Sequence, residues 1–206
     1  MLTQKELQVI ELFRKNILTN FTIREVMKKL DTKSYNWTHN VIKKLHDYQI
    51  IIIKKRGQSH LCSINLESHL SILYLSLLEE INALNKKIPN LNKILSLVNT
   101  YGGFYVLIIA GSYADGTYTK NSDVDVVVVI DKNEEKKWLL NKLSNEGDLM
   151  IPRMHPYVFS VEEFLEMLKN KEFNYGKEIA KKHLIVAGAE FYFKILKGAI
   201  DYGYTS

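Results

Sequence analysis

The chain has 206 residues and a net charge of +5, which is room for one ordinary domain or two small ones. Apolar residues at 46% and charged residues at 25% describe a globular chain, and 3 prolines and 10 glycines argue against a long disordered or fibrous stretch. One cysteine excludes a disulfide framework and a cysteine-rich zinc site. No apolar run nears the ~18 residues of a membrane helix. Lys5, Glu6 and Glu11 leave no signal-peptide core, so a cytoplasmic protein with no membrane partner is expected.

The charge is uneven along the chain. Residues 1–66 hold 12 Lys and Arg against 5 Asp and Glu, a net +7, whereas residues 67–206 hold 16 against 18. A basic first third on a near-neutral body suits a nucleic-acid-facing module joined to something else, and a solvated lysine-rich surface is the competing explanation.

In chain order, Thr3 and Glu6 form a capping box that opens a helix to Asn16, with Leu7, Ile10, Leu12 and Phe13 on its apolar face. Thr22 and Glu25 repeat the signal and open a second helix through Val26, Met27 and Leu30. After a polar turn at 31–34, a third helix spans 34–48, with Trp37, Val41 and Leu45 expected in the core. A strand over 50–55, a turn at Arg56, Gly57, Gln58 and Ser59, and a strand over 60–65 follow, with Cys62 expected to point inward. Three short helices and a hairpin predict a winged helix-turn-helix domain over residues 1–66.

In that architecture the third helix enters the major groove and the wing touches phosphates. Tyr35, Asn36, His39 and Lys43 are the candidate DNA-facing residues of the helix, and Lys54, Lys55 and Arg56 those of the wing. Double-stranded DNA is the expected partner, with protein docking as the alternative use of the same fold. Winged-helix readers pair to match two-fold sites, which makes a homodimer a further expectation.

Residues 67–100 read as a helical linker. Leu70, Leu73, Leu77, Ile81 and Leu84 recur at helical spacing, most simply as core or spacer, and Pro89 breaks the stretch. Tyr101-Gly102-Gly103 reads as a helix stop. Residues 101–206 change character. A buried strand over 105–110 ends at Gly111-Ser112, and a short helical turn follows. A valine-rich strand spans 123–130, a helix 134–144, a third strand 155–160 and a helix 161–170. The remainder to Tyr202 is expected to be mostly helical, including Leu184 and Ile185, with Phe191, Tyr192 and Phe193 as packing. Strands and helices in mixed order predict an α+β domain.

The chemistry concentrates between Gly111 and Asp125. A glycine at a strand end lets backbone approach a ligand closely, and a serine at a helix start adds a hydroxyl beside free N–H groups, which is the making of a phosphate cradle. Asp123 and Asp125 are two apart on a strand, so both carboxylates share one face while Val124 points to the core. Two carboxylates opposite a phosphate cradle can hold Mg²⁺ ions against a nucleoside triphosphate. A solvent-facing acidic pair on a hairpin is the bland alternative.

Gly111, Ser112, Ala114, Gly116, Ser122, Asp123 and Asp125 together resemble the signature of the DNA polymerase beta-like nucleotidyltransferase superfamily, in its minimal form. The resemblance implies a nucleotidyltransferase-fold domain over 101–206, with a small mixed sheet flanked by helices. It implies transfer of a nucleoside monophosphate from an NTP, ATP foremost, to a hydroxyl. Asp123 and Asp125 would be catalytic and hold a two-metal Mg²⁺ site, with Gly111, Ser112 and Ser122 on the nucleotide. Two positions depart from the pattern. Many relatives carry arginine where this chain has Asp115. The third carboxylate that activates the acceptor aligns with Tyr157, which leaves Asp148 as the candidate acid and His155 as a substitute base. A nucleotide-sensing or inactive transcriptional regulator is therefore the alternative function. An antitoxin-type enzyme that modifies a partner protein is another, by family analogy.

Overall fold

The computed structural model describes residues 2–57 and 59–205. It divides into two units, one ending at Leu78 and the other starting at Glu79. Among the described residues no helix is long and apolar enough to cross a membrane.

The first unit runs α1 (Gln4–Arg14), β1 (Phe21–Thr22), α2 (Ile23–Lys29), α3 (Tyr35–Asp47), β2 (Ile51–Arg56) and β3 (Ser59–Ile64), then enters α4 (His69–Leu84), which crosses the boundary. The capping boxes of Thr3 with Glu6 and of Thr22 with Glu25 form as their spacing predicts. Ser34 caps α3 by accepting from the Trp37 N–H. The sheet order is β1-β3-β2, all antiparallel, and Arg56 pairs with Ser59 across the hairpin. Gln58, read as part of that turn, lies outside the described residues. Strand β1 has no periodic signal of its own; Phe21 and Thr22 pair with Cys62 and Leu61 immediately before Thr22 caps α2.

Val9, Ile10, Phe13, Val26, Val41, Ile42, Leu45 and Ile50 form the buried interior of this unit. Trp37 does not fill the core as expected. It is half-buried, and its neighbour Thr38 is fully buried, its hydroxyl donating to the Ser34 carbonyl at 3.1 Å. A threonine can turn inward here because its hydroxyl finds a carbonyl one turn back. Cys62 is buried, and burial pushes its thiol up to about 11. Helix α4 is apolar on two faces. It buries Ile72, Leu75 and Ala83, and leaves exposed Leu70, Leu73, Leu77, Ile81 and Leu84, the stripe that spacing alone offered for the core. Both sets recur at three or four residues, so periodicity could not choose between them.

The second unit continues with α5 (Leu91–Val98), β4 (Tyr105–Ile109), α6 (Gly111–Asp115), β5 (Val124–Ile130), α7 (Lys136–Gly147), β6 (Met154–Ser160), α8 (Val161–Lys169), α9 (Tyr175–Lys181), β7 (Leu184–Ala187) and α10 (Ala189–Asp201). Its mixed sheet has the order β6-β5-β4-β7, with β5 and β6 parallel and the other pairs antiparallel. Alternation splits β5 between the two faces. Val124, Val126, Val128 and Ile130 join Ile94 and Val98 of α5 and Leu139 and Leu143 of α7 in one core. Val127 and Val129 face the other way, toward the side packed by α8 and α10.

Leu184 and Ile185, expected in a helix, lie in β7 instead. The β-branched pair Ile185-Val186 extends along β4, and Gly188 at φ +77° ends the strand where a Cβ would strike the Tyr105 carbonyl. The helix stop at Tyr101 forms as read, with Gly102 at φ +74°. The Tyr101 hydroxyl donates to Asp131 at 2.6 Å, and burial with that carboxylate pushes it up to about 12.

Candidate active site

The site forms where β4 ends and β5 begins. Gly111 turns the chain at φ +60° into α6, and a Cβ added there would lie closer than 3.0 Å to Asp125 Oδ2, a separation real Cβ atoms do not show. Only glycine lets the backbone pass this close to the carboxylate. The Ala110 N–H donates to the Asp125 carbonyl at 3.0 Å, and the Val124 N–H donates to the Arg153 carbonyl at 2.8 Å. The strand carrying Asp125 is thus clamped on both sides. Val124 and Val126 are buried, which fixes the direction in which Asp125 points.

Ser112 is half-buried near the start of α6, and its carbonyl accepts from the Thr117 N–H at 3.0 Å. Tyr113 is buried and stacks on Tyr118 with ring centroids 4.5 Å apart, which ties the following loop to α6. Ser122 closes that loop: its hydroxyl accepts from the Thr119 N–H at 2.9 Å, one residue before Asp123. Asp123 is exposed and Asp125 half-buried. Burial raises the Asp125 carboxyl above the usual carboxylate range; His155 opposes the rise, and Asp123 and Glu178 add to it. Those couplings mark Asp123 and Asp125 as neighbours.

The parallel register sets His155 beside Asp125, with Nδ1 3.8 Å from Oδ1. Tyr157 lies two pairs further on, opposite Val127. Asp148 is exposed at the carboxy-terminal cap of α7. The rings of His155, Tyr157 and Tyr175 follow one another at centroid separations of 4.8 and 4.9 Å. Burial raises the Tyr157 and Tyr175 hydroxyls, and the charges of Asp125 and Glu178 reinforce it. Sequence reasoning missed Tyr175, Glu178 and Lys182. Lys182 Nζ lies 3.0 Å from Asp115 Oδ2, a pair 67 residues apart in the chain. No local spacing announces it.

Among the described residues no group of three or more His, Cys, Asp or Glu forms a closed metal site. Mg²⁺ needs no such cage, because it is held by one or two carboxylates together with substrate phosphates. The clamped Asp125, its neighbour Asp123 and the Gly111 turn beside them fit that requirement.

In the first unit, Tyr35, Asn36, His39 and Lys43 are exposed on α3, with the Tyr35 and His39 rings stacked at 6.2 Å. Lys54, Lys55 and Arg56 are exposed at the end of β2. Lys44, on another face of α3, pairs with Glu6 at 2.8 Å.

Residues 91–187 match the nucleotidyltransferase domain family. A Methanocaldococcus jannaschii protein named as a putative protein adenylyltransferase is 34% identical over 74 residues, which span 35% of this chain and 57% of that one. A chain in the crystal structure of a toxin-antitoxin with AMP-PNP superposes with a TM-score of 0.37 at 18% identity, covering 53% of this chain and 83% of its own.

Proposed function

From the nucleotidyltransferase domain that spans residues 91–187, we propose that the protein moves a nucleoside monophosphate from an NTP, ATP foremost, onto a hydroxyl of a protein acceptor. The observation that carries this reading is the close approach of the Gly111 backbone to Asp125, which sets the first turn of α6 beside the carboxylate pair. The name of the partial relative supports an adenylyl donor and a protein acceptor.

In this reading the acceptor oxygen attacks the α-phosphorus in line. The bond to the β-phosphate breaks, and pyrophosphate leaves. Asp123 and Asp125 would hold Mg²⁺, which would supply charge neutralisation for the triphosphate. Gly111 and Ser112 offer N–H groups and a hydroxyl to the departing phosphates, and Ser122 holds the turn that delivers Asp123. Tyr157 aligns with the third acid, and His155, beside Asp125 in the parallel register, is the substitute base on that side. The hydroxyl proton leaves on that side of the site.

The first unit is proposed as a winged helix that binds double-stranded DNA, with Tyr35, Asn36, His39 and Lys43 toward bases and Lys54, Lys55 and Arg56 toward phosphates. Its support is the element order, the net +7 and the exposure of all seven side chains.

A second reading, a regulator that senses a nucleotide and transfers nothing, draws on Tyr157 and Asp115 aligning where relatives have an acid and an arginine. One experiment separates the two. The purified chain, Mg²⁺ and a cell lysate receive ATP labelled at the α- or the γ-phosphate. Nucleotidyl transfer predicts a labelled protein band with α-label only, absent in the Asp123→Asn, Asp125→Asn variant. Binding of ATP with no labelled product favours the regulator. A γ-labelled band that appears only with the purified chain and is lost in that variant refutes both.

A further inference from the structure

The structure assigns to Lys182 a binding role that no local motif announces. We propose that Lys182, aimed by Asp115, is the side chain that grips the β- and γ-phosphates of the nucleotide. The inference rests on the nucleotide site proposed above and names a residue of it.

The sheet brings Lys182 to the site. Ile109 pairs with Leu184, so the end of β4 and the start of β7 lie side by side. Gly111 leaves β4 two residues beyond that pair, and Lys182 precedes β7 by two residues. Both therefore emerge at one end of the sheet. Asp115 closes the connection. It is the last residue of α6 and lies three positions after Ser112, which puts it on the Ser112 side of the turn. Its carboxylate holds Lys182 Nζ at 3.0 Å.

The electrostatics require such a cation. Asp123 and Asp125 bring two carboxylates to this end of the sheet, Asp115 a third beside Lys182, and a triphosphate is itself an anion. An ammonium offers three donors. Asp115 takes one, and the Lys182 side chain remains 59% exposed, which leaves the others toward solvent for phosphate oxygens. Asp115 is then a positioning residue and not a missing arginine: the positive charge arrives from the β7 side, and the carboxylate orients it.

The test measures ATP binding with Mg²⁺ by calorimetry on the full chain. Lys182→Ala is expected to weaken binding about tenfold or more, as loss of one hydrogen bond to a charged group does. Lys182→Arg should retain most of the affinity. The double variant Lys182→Ala, Asp115→Arg should recover it, because an arginine at 115 returns a cation to the same place. A residue that only braced the fold would not be rescued in that way. Wild-type affinity in Lys182→Ala, or a double variant as weak as the single one, overturns the assignment while leaving the nucleotide site standing. Wild-type protein that binds no NTP overturns the site itself, and the assignment with it.

Discussion

Replacing Gly111 by alanine probes the site through a single methyl group. Elsewhere such a change helps, because a stiffer unfolded chain returns about 0.4–1 kcal/mol. At φ +60° an L residue costs about 1–2 kcal/mol instead. The new Cβ also meets Asp125 Oδ2, and turning that carboxylate off its rotamer costs about 0.5–1.5 kcal/mol more. The net expectation is a loss of about 0.5–3 kcal/mol together with a displaced Asp125. Gly116→Ala is the internal control. It sits at φ +73° with nothing within 4 Å of the added Cβ, so it suffers the backbone cost alone. Urea unfolding measures stability, and calorimetry with ATP and Mg²⁺ measures the site. Gly111→Ala should be the less stable variant and should lose nucleotide binding. Equal stability and equal affinity in the two variants would refute the close approach.

Other predictions follow from the same physics. The raised Asp125 carboxyl means that its ionised form opposes folding, a penalty present above its folded pKa and gone below its unfolded one. Asp125→Asn should raise the urea midpoint at pH 7 with the gain fading in acid, while Mg²⁺-dependent ATP binding disappears. Glu6 shows the opposite sign: its hydrogen bonds from Lys44 and from Thr3 hold it below the usual range. Its stabilisation is present above the unfolded value and is lost as pH falls through the folded one, so acid titration of unfolding should be flatter in Glu6→Gln. For the proposed DNA interface, substituting Lys54, Lys55 and Arg56 by alanine should reduce the slope of log affinity against log salt by about 0.9 for each phosphate no longer neutralised. An unchanged slope would remove the wing from the interface.

The part of this molecule legible in the sequence is the part made by neighbours in the chain. The capping boxes at Thr3 and Thr22 form because a threonine and a glutamate three residues on satisfy each other. The Gly111 to Asp125 site was readable because strand end, turn and paired carboxylates fall within fifteen residues. What stayed hidden depends on distant partners. Strand β7 is four residues long between two helices, and it extends because β4 offers an open edge. Lys182 and Tyr175 reach the site only through that strand and the helix before it. His155 was visible as a histidine, but its place beside Asp125 needed the parallel register, which no spacing encodes. On α4 the sequence carries two apolar faces, and only packing selects the buried one.

The central claim is that Asp123 and Asp125 together hold a metal–nucleotide complex. Mn²⁺ can report on it in place of Mg²⁺, through the relaxation of water protons around the ion. Adding the full chain to Mn²⁺ and ATP should enhance that relaxation to saturation, and the Asp123→Asn, Asp125→Asn variant, folded by circular dichroism, should give no enhancement. An enhancement of equal size in the variant, or none in the wild-type protein, would contradict the account.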